Sequence, residues 1–122
     1  MNDRTLLELA ARAAGIKARW FKVNQWRRLD GCRLHTGQKD VFGTHHRKPW
    51  NSLTDDGDAL RLAVTRGLVV TADRENQRTL VSNQAGHEYC AIYWDKLGEM
   101  AATRLAITEA AAEDGKSMGG GE

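Results

Sequence analysis

The residues of this 122-residue chain best suited to metal binding are its cysteines and histidines. Cys32 and His35 have Cys-x2-His spacing, and His45, His46 and Cys90 could complete a tetrahedral site, because zinc binds thiolates and imidazoles. A second close pair of ligands is missing from the sequence. The alternative is exposed histidines with a buried free thiol, and on this basis we expect no metal.

The same residues are the candidates for covalent catalysis. A thiolate nucleophile needs a neighbouring base or positive field, so Cys32 or Cys90 would have to pair with a histidine oriented by an acid such as Asp40. No local spacing selects that arrangement. The sequence also contains no glycine-rich phosphate loop, nucleophile elbow or His-Glu-x-x-His motif. We therefore predict that the protein is not an enzyme and uses no cofactor.

Three carboxylates at Asp55, Asp56 and Asp58 form a second cluster, within the stretch WNSLTDDGDALRLAV. Hard cations favour several carboxylate oxygens, but the cluster lacks the 12-residue loop spacing and the distant glutamate of a calcium-binding hand. Acidic residues are also common in the first turn of a helix, where they face exposed amides and the positive end of the helix dipole. Helix capping is the simpler interpretation.

The third candidate is the segment ARWFKVNQWRRLDGCRL, which interleaves aromatic and basic side chains. Residues 17 to 48 hold nine lysines and arginines against two aspartates, a net charge of +7, whereas the rest of the chain carries −5. Basic side chains bind the phosphates of nucleic acid and aromatic rings stack on its exposed bases. Tryptophan and arginine are also enriched where proteins bind one another. A third interpretation places the aromatic side chains in the core and the basic residues on a solvated face.

From this segment we predict a partner-binding surface. Its members are Trp26, Arg27, Arg28, Arg33, Arg47 and Lys48.

Composition indicates a soluble domain. Hydrophobic residues make up 41% and charged residues 28% of the chain, which is ordinary globular usage, and the length suits one domain. No apolar run approaches the roughly 20 residues that cross a bilayer, and the N-terminus does not resemble a secretory signal. We expect a cytoplasmic protein with no membrane partner and free cysteines.

Helical periodicity predicts a first helix over 5–14, with Thr5 and Glu8 as a capping box and Gly15 as the stop. Its apolar stripe consists of Leu7, Ala10, Ala11 and Ala14. From 17 to 49 the period disappears. RWFKV could be a short strand, and we predict that the segment is a long irregular basic loop that could contain one hairpin. It is held by the aromatic residues Trp20, Phe21, Trp26 and Phe42.

A second helix is predicted to start after Thr54 or Asp55 and to end at Gly67. Its predicted buried face is Leu60, Ala63 and Val64, and the residues predicted to pack beneath its start are Trp50 and Leu53.

The remaining elements are strands and a last helix. Strands are predicted over 68–72, 78–83 and 87–94, where β-branched and aromatic runs alternate with turns, followed by an alanine-rich helix over 96–113. The buried side of that helix is predicted to be Met100, Thr103, Ile107, Ala110 and Ala111. The predicted fold is α+β, a small antiparallel three-stranded sheet packed with about three helices. Residues 1–114 form one domain and 115–122 a flexible tail.

Three blocks of the sequence point to a family. LLELAARAAGI, WNSLTDDGDALRLAV and AATRLAITEAAAEDGKSM occur in that order and cover about half the chain. Together they resemble the phage ABA sandwich domain family, small proteins of tailed phages and prophages. The resemblance implies helices on both sides of a small sheet and a phage origin, and it brings no catalytic residues. Residues 17–49 lie outside it.

These observations predict a phage-encoded accessory protein that binds and modulates a host macromolecule. The target would be a host protein or ribonucleoprotein, for example a defence complex of the kind that anti-CRISPR proteins inhibit. Two alternatives remain at this point. One is sequence-nonspecific binding of nucleic acid, and the other is an oligomeric structural or packaging part. The sequence does not identify the oligomeric state.

Overall fold

The structure, a computed structural model of the chain, describes residues 2–118. Its helices are α1 (Asp3–Ala13), α2 (Asp56–Arg66) and α3 (Glu99–Met118), with a 3-10 turn at His45–Arg47. Its strands are β1 (Arg19–Leu29), β2 (Cys32–Thr44), β3 (Lys48–Pro49), β4 (Val69–Asp73), β5 (Arg78–Ser82) and β6 (Glu88–Tyr93). The strands form two antiparallel sheets, β1-β2-β3 and β4-β5-β6. The predicted α+β class is confirmed.

Helix α1 begins earlier than predicted. Asn2 is its N-cap, and the side chain of Asn2 accepts a hydrogen bond from the Thr5 amide at 2.9 Å. The predicted capping box of Thr5 and Glu8 is therefore wrong, because Thr5 already lies inside the helix. The Glu8 carboxylate instead accepts a hydrogen bond from Trp20 Nε1 at 3.3 Å. The predicted stripe faces the core, with Leu7, Ala10 and Ala11 buried and Ala14 partly buried.

The largest correction concerns residues 17–49, which form a long β-hairpin and not an irregular loop. Asp30 and Gly31 connect β1 to β2 with φ of 49° and 79°. Two consecutive left-handed residues make the tight turn that matches the twist of two antiparallel strands, and Asp-Gly favours it. The strands escaped sequence analysis because most of the hairpin is polar on both faces, so no single buried face produces an apolar alternation.

Helix α2 has the predicted ends and a different buried face. The Asp55 side chain caps it by accepting from the Asp58 amide at 2.8 Å, and Gly67 ends it with φ of 64°. Leu60 and Val64 are exposed, so the predicted burial of these two residues is wrong. The buried residues are Asp58, Ala59, Leu62 and Ala63. As predicted, Trp50 and Leu53 pack against the core beside the helix.

The second sheet is the predicted meander. Strands β4, β5 and β6 occupy the three predicted segments and pair in sequence order. The face of this sheet that packs on α3 includes Thr79 and Val81, both fully buried.

Helix α3 is longer than predicted and is buried on almost every side. On the side of the sheet, Thr79 Oγ1 lies 2.7 Å from Thr103 Oγ1, and the Cys90 thiol donates to the Ala106 carbonyl at 3.3 Å. At positions about half a helical turn away, Ser52 Oγ lies 2.8 Å from Thr108 Oγ1. Ile107, Ala110 and Ala111 are buried as predicted, and Thr103 is partly buried. The predicted burial of Met100 is wrong, and burial extends beyond the one predicted side.

The small residues that make this burial possible lie all round the helix. They are Ala102, Ala106, Ala110, Ala111, Ala112 and Gly115.

The boundary predicted after residue 114 is also corrected. Helix α3 continues to Met118, and Gly115 is buried against α1. A Cβ at position 115 would overlap the carbonyl oxygen of Leu9, so the backbones of α1 and α3 touch here. The rest of the predicted tail, residues 119–122, lies outside the described residues. None of the helices within residues 2–118 is long and apolar enough to cross a membrane.

Replacing Gly115 with alanine tests the contact between α1 and α3. We expect Gly115→Ala to lower the free energy of unfolding by about 1–2 kcal/mol. Overpacking destabilises the folded state by about 1–3 kcal/mol, and the better helix propensity of alanine offsets up to about 1 kcal/mol of this loss. Urea denaturation measures the change, with the exposed position Ser117→Ala as the control. Equal or greater stability of Gly115→Ala would show that the helices do not approach so closely.

Candidate binding site on the projecting hairpin

The outer part of the hairpin projects from the body of the protein. Residues 22 to 36 are exposed without interruption, and most of residues 37 to 40 are exposed as well. We call residues 22–40 the arm. At about 3.3 Å per residue, the eight residues from Lys22 to Leu29 span roughly 25 Å. Both faces of the arm are therefore available to a partner.

The base of the arm is anchored by aromatic packing. Phe42 is buried between two tryptophans, with ring centroids 4.9 Å from Trp20 and 6.1 Å from Trp50. The Trp50 amide also donates to the Phe42 carbonyl at 2.8 Å. An added Cβ on the neighbouring Gly43 would lie 2.5 Å from the ring of Phe21, so glycine allows the strands to close tightly over the core. The arm thus emerges from a fixed point.

An ionic contact connects the arm to α1. Asp40 accepts from Lys22 Nζ at 2.8 Å across the hairpin and from Arg4 Nη1 at 3.2 Å. The hydrogen bond from Lys22, its positive charge and the nearby Arg4 lower the pKa of Asp40 below its ordinary value of 3.8. Asp40 is therefore ionised at neutral pH and neutralises part of the positive charge at the base of the arm.

A β-bulge decides which side chains share a face. Gln25 pairs with Gly37 and Trp26 pairs with His35, so Thr36 is an extra residue in β2. Gly37 accommodates the irregularity with φ of 116°. Because Thr36 is unpaired, Gln38 and not Gly37 lies opposite Asn24, while Trp26 and His35 remain paired.

One face of the arm, which we call the tryptophan face, is polar and basic. His35 packs edge-on against Trp26 with ring centroids 5.0 Å apart, and the Arg33 guanidinium lies over the indole at 4.8 Å. Asn24 Oδ1 accepts from Gln38 Nε2 at 3.0 Å and lies 3.3 Å from His35 Nε2. The tryptophan face consists of Asn24, Trp26, Arg28, Arg33, His35 and Gln38.

The opposite face, which we call the leucine face, carries exposed apolar side chains interspersed with the basic residues Arg27 and Lys39. It is defined by strand alternation and by three cross-strand pairs: Arg27 with Leu34, Leu29 with Cys32 and Val23 with Lys39. The side chains of Val23, Leu29 and Leu34 are all exposed. These apolar residues lie on an arm surrounded by solvent and have no place in the core.

The structure brings together four of the six predicted partner-binding residues. Trp26, Arg27, Arg28 and Arg33 lie at the outer end of the arm. Arg47 and Lys48 lie at its base, where the Arg47 guanidinium is 5.8 Å from the Phe21 ring. Phe21 and Arg28 are seven positions apart in the strand, which corresponds to roughly 23 Å.

The predicted partner-binding set did not include six residues that complete the two faces. They are Val23, Asn24, Leu29, Leu34, His35 and Gln38. The dipeptide Asp30-Gly31 was the available signal, because it marks a hairpin turn whose register assigns faces to the flanking residues.

The residues considered as zinc ligands lie in three different places. Cys32 and His35 are on opposite faces of the arm, His45 and His46 are at its base, and Cys90 packs on α3. Within residues 2–118, no three histidine, cysteine or acidic side chains are close enough to share a metal ion.

Contacts inside the protein account for the aspartate cluster. Asp58 accepts from the Asn51 amide at 3.0 Å and from Arg61 at 2.7 Å, and Asp56 accepts from Arg104 at 2.6 Å. Asp55 caps α2. Each of the three carboxylates has a structural partner, as the capping interpretation requires.

Comparison with known proteins yields no relative. No protein family, curated protein or solved structure matches the chain. The resemblance to the phage ABA sandwich domain family stays a prediction.

The surroundings of Cys90 disfavour a nucleophilic role. Burial, followed by the negative charges of Glu109 and Glu88, raises the pKa of its thiol to about 11. At pH 8 only about a thousandth of Cys90 would be thiolate, the reactive form.

Thiol labelling at pH 8 tests whether Cys32 reacts faster than Cys90. We expect one fast reaction with an aromatic disulfide reagent, at the exposed Cys32, and slow reaction at Cys90 until the protein is unfolded. The variant Cys32→Ser should lose the fast phase, and Cys90→Ser should keep it. A fast phase remaining in Cys32→Ser would restore Cys90 as a candidate nucleophile.

Proposed function

We propose that the protein is a non-catalytic accessory protein, encoded by a phage or prophage, that binds a host protein through its arm and modulates it. A defence complex is one such target. The observation that carries the proposal is the leucine face, where Val23, Leu29 and Leu34 are exposed on a structure that projects from the body.

Burial of this face would favour association. Exposed apolar side chains grouped on one surface are typical of protein interfaces, and each fully buried leucine contributes about 1.5–3 kcal/mol. Arg27 lies among them, and arginine is enriched in interface hot spots. Because the end of the arm holds Arg27, Arg28 and Arg33 against Asp30 alone, the partner surface is expected to be acidic.

The shape of the arm supports the same proposal. A narrow ribbon anchored at one end can enter a cleft that the body of the protein cannot. Its first strand also lies at the edge of its sheet, where backbone groups are available for pairing with a strand of the partner. Occupying a cleft of an enzyme or of a nucleic-acid-binding complex is a direct way to inhibit it. The phage origin and the defence target depend on the sequence resemblance.

A capture experiment with two matched double variants tests the proposal. Tagged protein is incubated with nuclease-treated bacterial lysate, and the bound proteins are identified by mass spectrometry. The arm variant is Leu29→Ser with Leu34→Ser. The control is Leu60→Ser with Val64→Ser, which removes two apolar side chains of greater exposure from α2.

We expect a specific host protein to be retained by the wild type and the α2 control and lost by the arm variant. With the purified partner, the arm variant should bind at least about tenfold more weakly, because two buried leucines contribute more than 1.4 kcal/mol together. Equal retention by both variants would exclude the leucine face as the interface. Retention of no host protein by the wild type would contradict the proposed function.

A further inference from the structure

We propose that the tryptophan face of the arm binds single-stranded nucleic acid. This site is separate from the leucine face and adds a second class of ligand to the proposed function. Its evidence is the arrangement of one exposed indole, one imidazole, two amides and two guanidinium groups on the same side of the arm.

The indole of Trp26 provides a surface on which a base can stack. Its side chain is 52% exposed, although tryptophan is among the residues that most favour burial. The edge contact from His35 and the cation of Arg33 hold the ring in a defined orientation. An ordered ring loses little conformational freedom when a base stacks on it, and such stacking is tolerant of base identity.

Cations for the phosphates lie beside the ring. Arg28 and Arg33 are paired across the strands at the outer end of the face, and both are exposed. Asn24 and Gln38 continue the face towards the body with amide groups, which are suited to the edges of unpaired bases. The face therefore presents a base-stacking ring between groups for phosphates and groups for base edges.

The exposed indole argues against a duplex as the ligand. A two-stranded ribbon fits the major groove of DNA, but the groove presents only the edges of the paired bases. The faces of those bases are stacked on one another, so Trp26 would have no base face to stack on. A single strand lying along the tryptophan face offers its unpaired bases to the ring and leaves the leucine face for protein.

The turn and the bulge together create this face. The two-residue turn pairs Trp26 with His35 and Arg28 with Arg33, which places all four on one side of the arm. The unpaired Thr36 then brings Gln38, and not Gly37, opposite Asn24.

Fluorescence anisotropy with labelled oligothymidylate, as a single strand and as its duplex with oligoadenylate, measures binding. Arg27→Glu and Arg28→Glu form a matched pair, because the two residues are adjacent in sequence and lie on opposite faces. We expect Arg28→Glu and Trp26→Ala each to weaken single-strand binding about tenfold, and Arg27→Glu to weaken it by less than about threefold. The single strand should bind more tightly than the duplex.

Three outcomes would overturn the proposal. They are equal losses of single-strand binding for Arg27→Glu and Arg28→Glu, tighter binding of the duplex than of the single strand, and absence of single-strand binding at low salt.

The variants separate this inference from the proposed function. The double variant Leu29→Ser with Leu34→Ser should lose the host protein and keep single-strand binding. Arg28→Glu should lose the nucleic acid and keep the nuclease-resistant protein partner. If one activity is absent, the other is therefore tested independently.

Discussion

The burial of α3 on nearly all sides depends on the small size of its residues. The sheet β4-β5-β6 contacts it at Thr103 and Ala106, whereas α1 and the segment before α2 contact it at Gly115 and Thr108. A helix can have close neighbours on opposite sides only when its side chains are short, because large side chains would hold those neighbours apart. Alanine and glycine at these positions bring three layers within contact distance.

Close packing of this kind leaves polar groups in the interior, and each has a partner. The Trp94 indole donates to Thr79 Oγ1 at 2.9 Å, and Arg104 Nε donates to the Leu53 carbonyl at 2.9 Å. Within residues 2–118, no buried side-chain nitrogen or oxygen atom lacks a hydrogen-bond partner. The stretch that carries the aspartate cluster belongs to this framework: it caps α2 and connects it to α3. Its acidic residues serve the fold.

The exposure of the arm is a consequence of how the body packs. A body built from helices and a small sheet fills its core without residues 22–36, so these residues are free to form an exposed ribbon. An isolated hairpin of two strands is only marginally stable in water. Here the turn at Asp30-Gly31, the ion pair of Lys22 with Asp40 and the burial of Phe42 stabilise it. The two proposed binding sites, one for a protein and one for a single strand, correspond to the two faces of this anchored ribbon.

The sequence alone determined the α+β class, the position of α2 and the three-strand meander, because those features have local signals: capping residues, helix-ending glycines and runs of β-branched residues. It did not determine which stripe of α2 faces inward, since Ala59, Leu62 and Ala63 compete with Leu60 and Val64 for the core. The tertiary structure selected the smaller set, which allows a closer approach to α3. The arm and its faces were also decided only in three dimensions. Asp30-Gly31 marks the turn, but the unpaired Thr36 changes which residues of β1 and β2 lie opposite one another nearer the body. Only strand pairing decides where that change falls.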